Sequence, residues 1–143
     1  MKLSLADLRK NFDTTGPATA SEIARVEHHF GYLFPDDYKA FLSLTNGLEG
    51  SMNDDYLVLW STNELIELNQ AYQVANFVKH IIIFGSDGAE DAFAFDTAGP
   101  EPSIIKLPFI GMGHIPNEKQ AGSFEAFLLP RVQTKGFFRR LFS

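Results

Sequence analysis

Carboxylates are the side chains in this sequence that are best suited to chemistry, and they gather around candidate turns. They form one group in each half of the chain: Asp36, Asp37, Glu49, Asp54 and Asp55 in the first half, and Asp87, Glu90, Asp91 and Asp96 in the second. Three uses are open for them: solvated surface charges, a docking surface for a basic partner, or a metal or acid–base site. The last use requires two carboxylates at a fixed separation on rigid elements, so their place in turns argues against it.

The two acidic groups would meet in an acidic rim if the loop at 48–55 and the turn at 85–91 lie at one end of a sheet. The net charge of the whole chain is −6, and it is unevenly distributed. Residues 1–130 carry eight cationic and 18 acidic side chains, whereas residues 131–143 carry four cationic side chains and no carboxylate. An acidic body disfavours nucleic acid and anionic membranes as partners and suits a basic protein. We predict that the basic aromatic segment 136–142 docks on this acidic body.

Other motifs with catalytic or ligand-binding potential are weak. The sequence holds no nucleophile elbow, Walker loop, zinc-protease helix or EF-hand loop. Gly111-Met-Gly113 begins like a dinucleotide-binding loop, but Pro116 stands in place of the third glycine. Ser86-Asp87 in a glycine-flanked turn is typical of capping rather than of catalysis, and the four histidines form no constellation. We therefore expect no cofactor and no bound metal.

The absence of cysteine excludes disulfides, thiolate metal sites and cysteine nucleophiles, and it favours a reducing compartment. The polar N-terminal segment lacks the apolar region of a secretory signal, and no apolar run is long enough to span a bilayer. We expect a cytoplasmic protein that forms a single domain over residues 1–143.

Local signals predict helices in the first half of the chain and strands mainly in the second. Capping boxes at Thr19-Ala-Ser-Glu22 and Ser61-Thr-Asn-Glu64 predict helix starts, and the alternation Ala92-Phe-Ala-Phe95 predicts a strand. The predicted helices are 19–30, 35–46, 61–76 and 123–129, the predicted strands are 56–60, 80–84, 92–95 and 103–107, and 48–54 and 111–120 are expected to be loops. Short connections between strands favour antiparallel pairing. The fold class is therefore α+β, with N-terminal helices packed on a mainly antiparallel β-sheet and a C-terminal helix.

Motifs along most of the chain resemble those of one known protein family. They are the capping box at 19–22, the helix end Phe30-Gly31, Leu33-Phe-Pro35-Asp-Asp-Tyr38, Asn46-Gly47, Phe84-Gly-Ser-Asp-Gly88, Ala92-Phe-Ala-Phe-Asp96 and Ser123-Phe-Glu-Ala-Phe127-Leu. Their order and spacing over residues 19–129 are similar to those of the SUKH superfamily, in its Smi/Knr-type branch. Phe34 departs from the family's pattern, in which leucine more often directly precedes the proline. The motif glycines and proline are expected to start and end helices.

The resemblance implies an α+β domain with a non-enzymatic role. Bacterial members of the family are commonly immunity proteins that bind and neutralise a cognate polymorphic toxin, often a nuclease, and fungal members regulate cell-wall synthesis and signalling. We therefore expect a non-enzymatic immunity protein whose partner is a basic toxin. The alternatives are a regulatory or scaffolding interaction module, and a small metal-dependent hydrolase that uses the acidic turns and His114.

The expected partner-binding surface combines aromatic residues with surrounding acids, as interface hot spots often do. Its predicted members are Asp54, Asp55, Tyr56, Trp60, Asp87, Glu90 and Asp91. Packing in the core is the alternative use of Tyr56 and Trp60. Neither nucleic acid nor a membrane is expected as a partner.

Overall fold

A computed structural model describes residues 3–52 and 54–132. Within these ranges the chain forms six helices and seven strands: α1 (Leu5–Arg9), β1 (Phe12–Thr14), α2 (Ala20–Phe30), α3 (Asp36–Leu42), β2 (Leu48–Met52), β3 (Asp55–Leu59), α4 (Thr62–Ala71), α5 (Val74–Phe77), β4 (Ile81–Ser86), β5 (Asp91–Asp96), β6 (Ser103–Pro108), β7 (Glu118–Ala121) and α6 (Phe124–Val132). The arrangement confirms the predicted α+β class. The segment 136–142, for which docking on the acidic body is predicted, lies outside the described residues.

The seven strands form one antiparallel sheet in which each strand pairs with its neighbours in sequence, in the order β1-β2-β3-β4-β5-β6-β7. In such a meander every second connection lies at the same end of the sheet, so the β2–β3 and β4–β5 turns are on one side. The β6–β7 connection starts from that end too. Register aligns the strands closely there, with Val58 of β3 opposite Ser86 of β4 and Lys106 of β6 opposite Glu118 of β7.

The two predicted capping boxes start the two longest described helices, α2 and α4. The Thr19 hydroxyl accepts from the N–H of Glu22 at 3.1 Å, and the Glu22 carboxylate accepts from the N–H of Thr19 at 3.0 Å. The hydrogen bonds that the Glu22 carboxylate accepts, first from the N–H and then from the hydroxyl of Thr19, lower the pKa of Glu22. At the other end of α2, Gly31 has φ 62°, a left-handed conformation that favours glycine. Both ends of α2 therefore follow from the local sequence.

Aromatic rings form the centre of the core on the face of the sheet that packs against α3 and α6. The buried rings are Phe34, Tyr38, Phe41, Phe84, Phe93, Phe95, Phe124 and Phe127. The ring centroid of Phe95 lies 4.7 Å from that of Phe84 and 4.9 Å from that of Tyr38. Pairs of this kind contribute about 0.5–1.5 kcal/mol each beyond the area that they bury. These seven phenylalanines thus join the sheet to α3 and α6.

The opposite face of the central strands is buried as well. Ala92 and Ala94 of β5 are fully buried, and their partners across the β5–β6 ladder are Leu107 and Ile105. On this side α4 and α5 pack against β4. The central strands are therefore covered on both faces, which explains why almost every residue of β4 and β5 is buried.

One buried polar side chain joins α4 to the sheet. Asn69 accepts from the N–H of Ile83 at 3.0 Å and donates to the carbonyl of Ile83 at 2.9 Å. The β3–β4 ladder ends at the pair Leu59 and Gly85, so Ile83 has no strand partner on that side. The carboxamide supplies the donor and the acceptor that a strand would otherwise supply.

Two segments that were expected to be loops contain strands. The segment 48–54 contains β2, in which Leu48 and Met52 are buried while Glu49 and Ser51 are exposed. Gly50 lies between Leu48 and Met52 on the same side of the strand, where β1 approaches so closely that a Cβ would lie 2.9 Å from the Cα of Phe12. The second segment, 111–120, contains most of β7, which pairs with β6. In both cases pairing with neighbouring strands outweighs the loop-like composition.

Helix limits also differ from the prediction. The helix predicted over 61–76 is divided into α4 and α5 at Gln73, which has φ 54°. The helix predicted to reach Asn46 ends at Leu42. Asn46 instead accepts from the N–H of Thr62 at 2.8 Å, at the start of α4. The short elements α1 and β1 were not predicted. Among the described helices, none is both long and apolar enough to cross a bilayer.

Candidate protein-binding surface

Two neighbouring turns and the strand ends beside them carry most of the predicted binding residues. The β2–β3 turn holds Asp54, and the β4–β5 turn runs from Asp87 to Glu90. Continuing the β3–β4 register by two residues places Tyr56 opposite Gly88. The two are in close contact, because a Cβ on Gly88 would lie 2.5 Å from Cδ1 of Tyr56. The ring of Tyr56 therefore packs against the second turn.

A shallow cavity of about 340 Å³ opens between these turns. Its lining includes four predicted residues: Asp54, Asp55, Tyr56 and Asp87. The Asp91 carboxylate lies 4.0 Å from the ammonium nitrogen of Lys106, which also lines the cavity, and Glu90 is exposed at the end of the second turn. We call these six residues, Asp54, Asp55, Tyr56, Asp87, Glu90 and Asp91, the acidic end.

The carboxylate of Asp87 shapes the second turn. One of its oxygens accepts from the N–H of Ala89 at 2.9 Å and from the N–H of Asp91 at 3.2 Å. The Ser86 hydroxyl accepts from the N–H of Gly88 at 3.1 Å. Ser86 and Asp87 thus make the turn-capping hydrogen bonds that the sequence predicts, and they hold the loop in one shape.

Lys106 contributes a cation at the edge of the acidic end. Its ammonium nitrogen lies 3.1 Å from the Glu118 carboxylate and 4.0 Å from that of Asp91. The hydrogen bond to Glu118 and the charges of Glu118, Asp91 and Asp87 raise the pKa of Lys106. One face of the acidic end is thereby partly neutralised, whereas Asp54, Asp55 and Glu90 project from the turns.

Arg131 is the second cation in the cavity. Its guanidinium carbon lies 4.1 Å from the ring centroid of Phe127 and 5.2 Å from that of Phe93. The guanidinium also donates to the Phe127 carbonyl at 2.9 Å. Burial lowers the pKa of Arg131, and the charge of Asp55 opposes that effect. Sequence reasoning missed both cations. Arg131 lies beyond the helix predicted over 123–129; α6 extends to Val132, and the spacing of four residues from Phe127 to Arg131 on that longer helix is the signal that could have placed it.

The two predicted aromatic residues differ in their exposure. Tyr56 is exposed, and its hydroxyl donates to Glu49; this hydrogen bond raises the pKa of Tyr56. Trp60 is only 4% exposed, and its ring stacks on Tyr72 and on Phe109 with centroid distances of 6.5 Å. Trp60 therefore has too little exposed surface to contact a partner directly. It packs in the core, which is the alternative use considered for it.

The geometry does not bring together the residues that a metal-dependent hydrolase would use. Within residues 3–52 and 54–132, no three histidine or carboxylate side chains are placed so that they could share a metal ion. His114 lines a separate cleft beside Asp96. Asp96 lies at the far end of β5 from Asp91, about 17 Å away at the usual rise of a strand.

Comparison with known proteins places the chain in a family. The model of the SMI1 / KNR4 family (SUKH-1) matches residues 17–129. The chain belongs to this family. It is also similar to an uncharacterized protein of Bacillus subtilis (strain 168), YnaB, with 36% identity over 74 residues, which are 52% of this chain and 47% of YnaB. The match thus spans about half the length of that relative.

Membership of the SMI1 / KNR4 family confirms the resemblance seen in the sequence motifs. The structure also supports the structural interpretation of several motif residues. Gly31 ends α2 with a left-handed φ of 62°, and Pro35 is the N-cap residue of α3. Gly47 also has a left-handed φ, of 92°, but it does not end a helix as expected, because α3 ends at Leu42. Phe41 and Phe127 are fully buried.

The close contact between Gly88 and Tyr56 predicts the effect of a substitution in the turn. Gly88 has φ 78°, so Gly88→Ala places a Cβ in a left-handed conformation and against the Tyr56 ring. We expect the free energy of unfolding to fall by about 1–2 kcal/mol, measured by denaturant titration. Gly99→Ala is the control, because the nearest atom to its Cβ is 3.7 Å away. Equal effects of the two substitutions would contradict the described packing of Tyr56.

Proposed function

We propose that this member of the SUKH-1 family is a non-enzymatic immunity protein of the cytoplasm, which neutralises a cognate toxin by tight binding. The observation that carries the proposal is the position of the acidic end: two turns, distant in sequence, present their carboxylates together at one exposed end of the sheet. Family membership supplies the second support, because the resemblance implies protein binding.

The chemistry of the acidic end suits a basic partner. Within the described residues, no hydrogen bond or ion pair engages the side chains of Asp54, Asp55 and Glu90, so their charges can meet cations of another protein. Complementary charge accelerates encounter and aligns the two surfaces. A stable interface of ordinary size would bury on the order of 1,600 Å² in total, more than the two turns alone provide.

The rigid turn geometry supports tight rather than merely electrostatic binding. Asp87 and Ser86 hold the second turn by hydrogen bonds to its backbone, and Tyr56 packs on Gly88. Residues held in place before binding lose little conformational freedom when the complex forms. Tyr56 can therefore serve as an aromatic anchor among acids.

The direct test is co-expression with the polypeptide encoded by the neighbouring open reading frame. The proposal expects that this polypeptide arrests growth when it is expressed alone, and that the chain restores growth and forms a complex with it. Absence of both rescue and complex would refute the immunity role. A complex that forms only with micromolar affinity would indicate the regulatory or scaffolding alternative instead.

Neutralising the projecting carboxylates tests the surface itself. For the double variant Asp54→Asn/Asp55→Asn, we expect association with the toxin polypeptide to slow about tenfold at low salt, with a smaller difference at high salt. The charge-matched control is Asp36→Asn/Glu101→Gln, which removes two exposed carboxylates outside the acidic end. Surface plasmon resonance measures both rates. Equal slowing in the two double variants would show that net charge, not the acidic end, governs association.

A further inference from the structure

We propose that the centre of the interface is an apolar patch that adjoins the acidic end at Phe109, and that the partner therefore presents apolar side chains flanked by cations. This inference rests on the proposed function and names the partner chemistry of the same interface. The apolar patch consists of Tyr72, Phe77, Phe109, Ile110 and Ile115. Ile110 is 91% exposed, and Tyr72, Phe77 and Ile115 are between 43% and 53% exposed.

The residues of the apolar patch come from two segments of the chain that lie against each other. The rings of Tyr72 and Phe109 lie 4.5 Å apart between centroids. Ile110 follows Phe109 in the chain, and the turn after it brings the N–H of Ile115 to the Gly111 carbonyl at 3.2 Å. Gly113 then packs against the backbone of Phe77. The connection between β6 and β7 therefore lies against the α4–α5 segment, and both segments expose large apolar side chains.

The buried Trp60 supports this surface from below. Its ring stacks on both Tyr72 and Phe109, with interplanar angles of 6° and 25°. Its own backbone is joined to the sheet, because the Trp60 N–H donates to the Phe84 carbonyl at 2.9 Å. The rings of the patch are thereby held in place, and rigid aromatic side chains lose little entropy on binding. Trp60 acts as a positioning residue for the interface.

One backbone hydrogen bond links the apolar patch to the acidic end. The N–H of Phe109 donates to the carbonyl of Glu90 at 3.0 Å, so the exposed Glu90 stands at the border between them. An apolar centre with charged residues at its rim is the usual anatomy of a protein interface. The acidic border selects a partner with cations around its apolar side chains. Two copies of this chain, each with net charge −6, would repel one another across the same border.

The test measures binding of the neighbouring gene's polypeptide to the variant Ile110→Ser. We expect dissociation to accelerate about ten- to hundredfold, with association little changed, because truncating a central apolar contact acts mainly on the dissociation rate. The double variant Asp54→Asn/Asp55→Asn should instead slow association and leave dissociation little changed. Leu33→Ser is the matched control, because Leu33 is 77% exposed in the connection between α2 and α3. Unfolding curves of both serine variants should match the parent chain.

Each other outcome counts against the inference in a distinct way. If the toxin polypeptide binds and Ile110→Ser dissociates no faster than Leu33→Ser, the inference is wrong and the proposed function stands. If the parent chain binds no such polypeptide, both fail together. If sedimentation shows a dimer of the parent chain that Ile110→Ser abolishes, the apolar patch belongs to a second copy and the inference is overturned.

Discussion

Replacing Phe95 by alanine is expected to lower the free energy of unfolding by about 3–5 kcal/mol. Phe95 is fully buried at the centre of the aromatic core. Its ring centroid lies within 6.5 Å of the centroids of four other rings, those of Phe34, Tyr38, Phe84 and Phe124. These residues come from α3 and the segment just before it, from β4 and from α6. Truncation removes these contacts and leaves a cavity that the antiparallel sheet cannot easily close. Denaturant titration, followed by circular dichroism, measures the change.

Two further variants sharpen the test of the aromatic core. Leu33→Ala removes a large apolar side chain that is exposed, so it should change stability by no more than about 0.5 kcal/mol. Phe95→Leu keeps most of the buried volume and should cost less than the alanine variant. A loss below about 1 kcal/mol for Phe95→Ala would contradict a rigid, close-packed aromatic core.

Replacing Asn69 by alanine is expected to lower the free energy of unfolding by about 2–4 kcal/mol. The Asn69 side chain donates to the carbonyls of Leu65 and Ile83, and it accepts from the N–H of Ile83. Without the carboxamide, both backbone groups of Ile83 are left buried and unpaired on that side of β4. The penalty arises from their lost hydration rather than from the small loss of volume.

Asn76→Ala provides the control for this effect. Asn76 is an exposed carboxamide whose one described hydrogen bond, to Gln73, is long at 3.4 Å. Its replacement should change stability by at most about 0.5 kcal/mol. Hydrogen exchange adds a local measurement, because the Ile83 amide should lose protection in Asn69→Ala before the rest of β4. If the amide stays protected, another group satisfies it and the role assigned to Asn69 is wrong.

The aromatic core and the proposed interface occupy different parts of the molecule. The aromatic core joins the sheet to α3 and α6, whereas the acidic end and the apolar patch are built from strand connections and from α4 and α5. Loops mounted on a rigid sheet often carry binding residues, since they can change without disturbing the core. A family that must match different partners would benefit from this separation.

Local sequence determined the elements whose signals lie within a few residues. The capping boxes at Thr19 and Ser61 start helices because donor and acceptor are three residues apart. The alternation through Phe93 and Phe95 specifies a strand because it, too, is a pattern of neighbouring residues. The sequence left the meeting of the two acidic turns as a condition, and the meander fulfils it, because its β2–β3 and β4–β5 turns lie at the same end of the sheet.

Only the tertiary structure decided features that depend on contacts between distant segments. β2 and β7 form because neighbouring strands pair with them, and Arg131 reaches the cavity because α6 packs beside Phe93. Trp60 is buried, while Ile110 is almost fully exposed. Both are large and apolar, and burial is a property of the packed chain rather than of the residue type. The local pattern therefore specified helices, strands and charge, and the packing of the sheet decided which side chains a partner can reach.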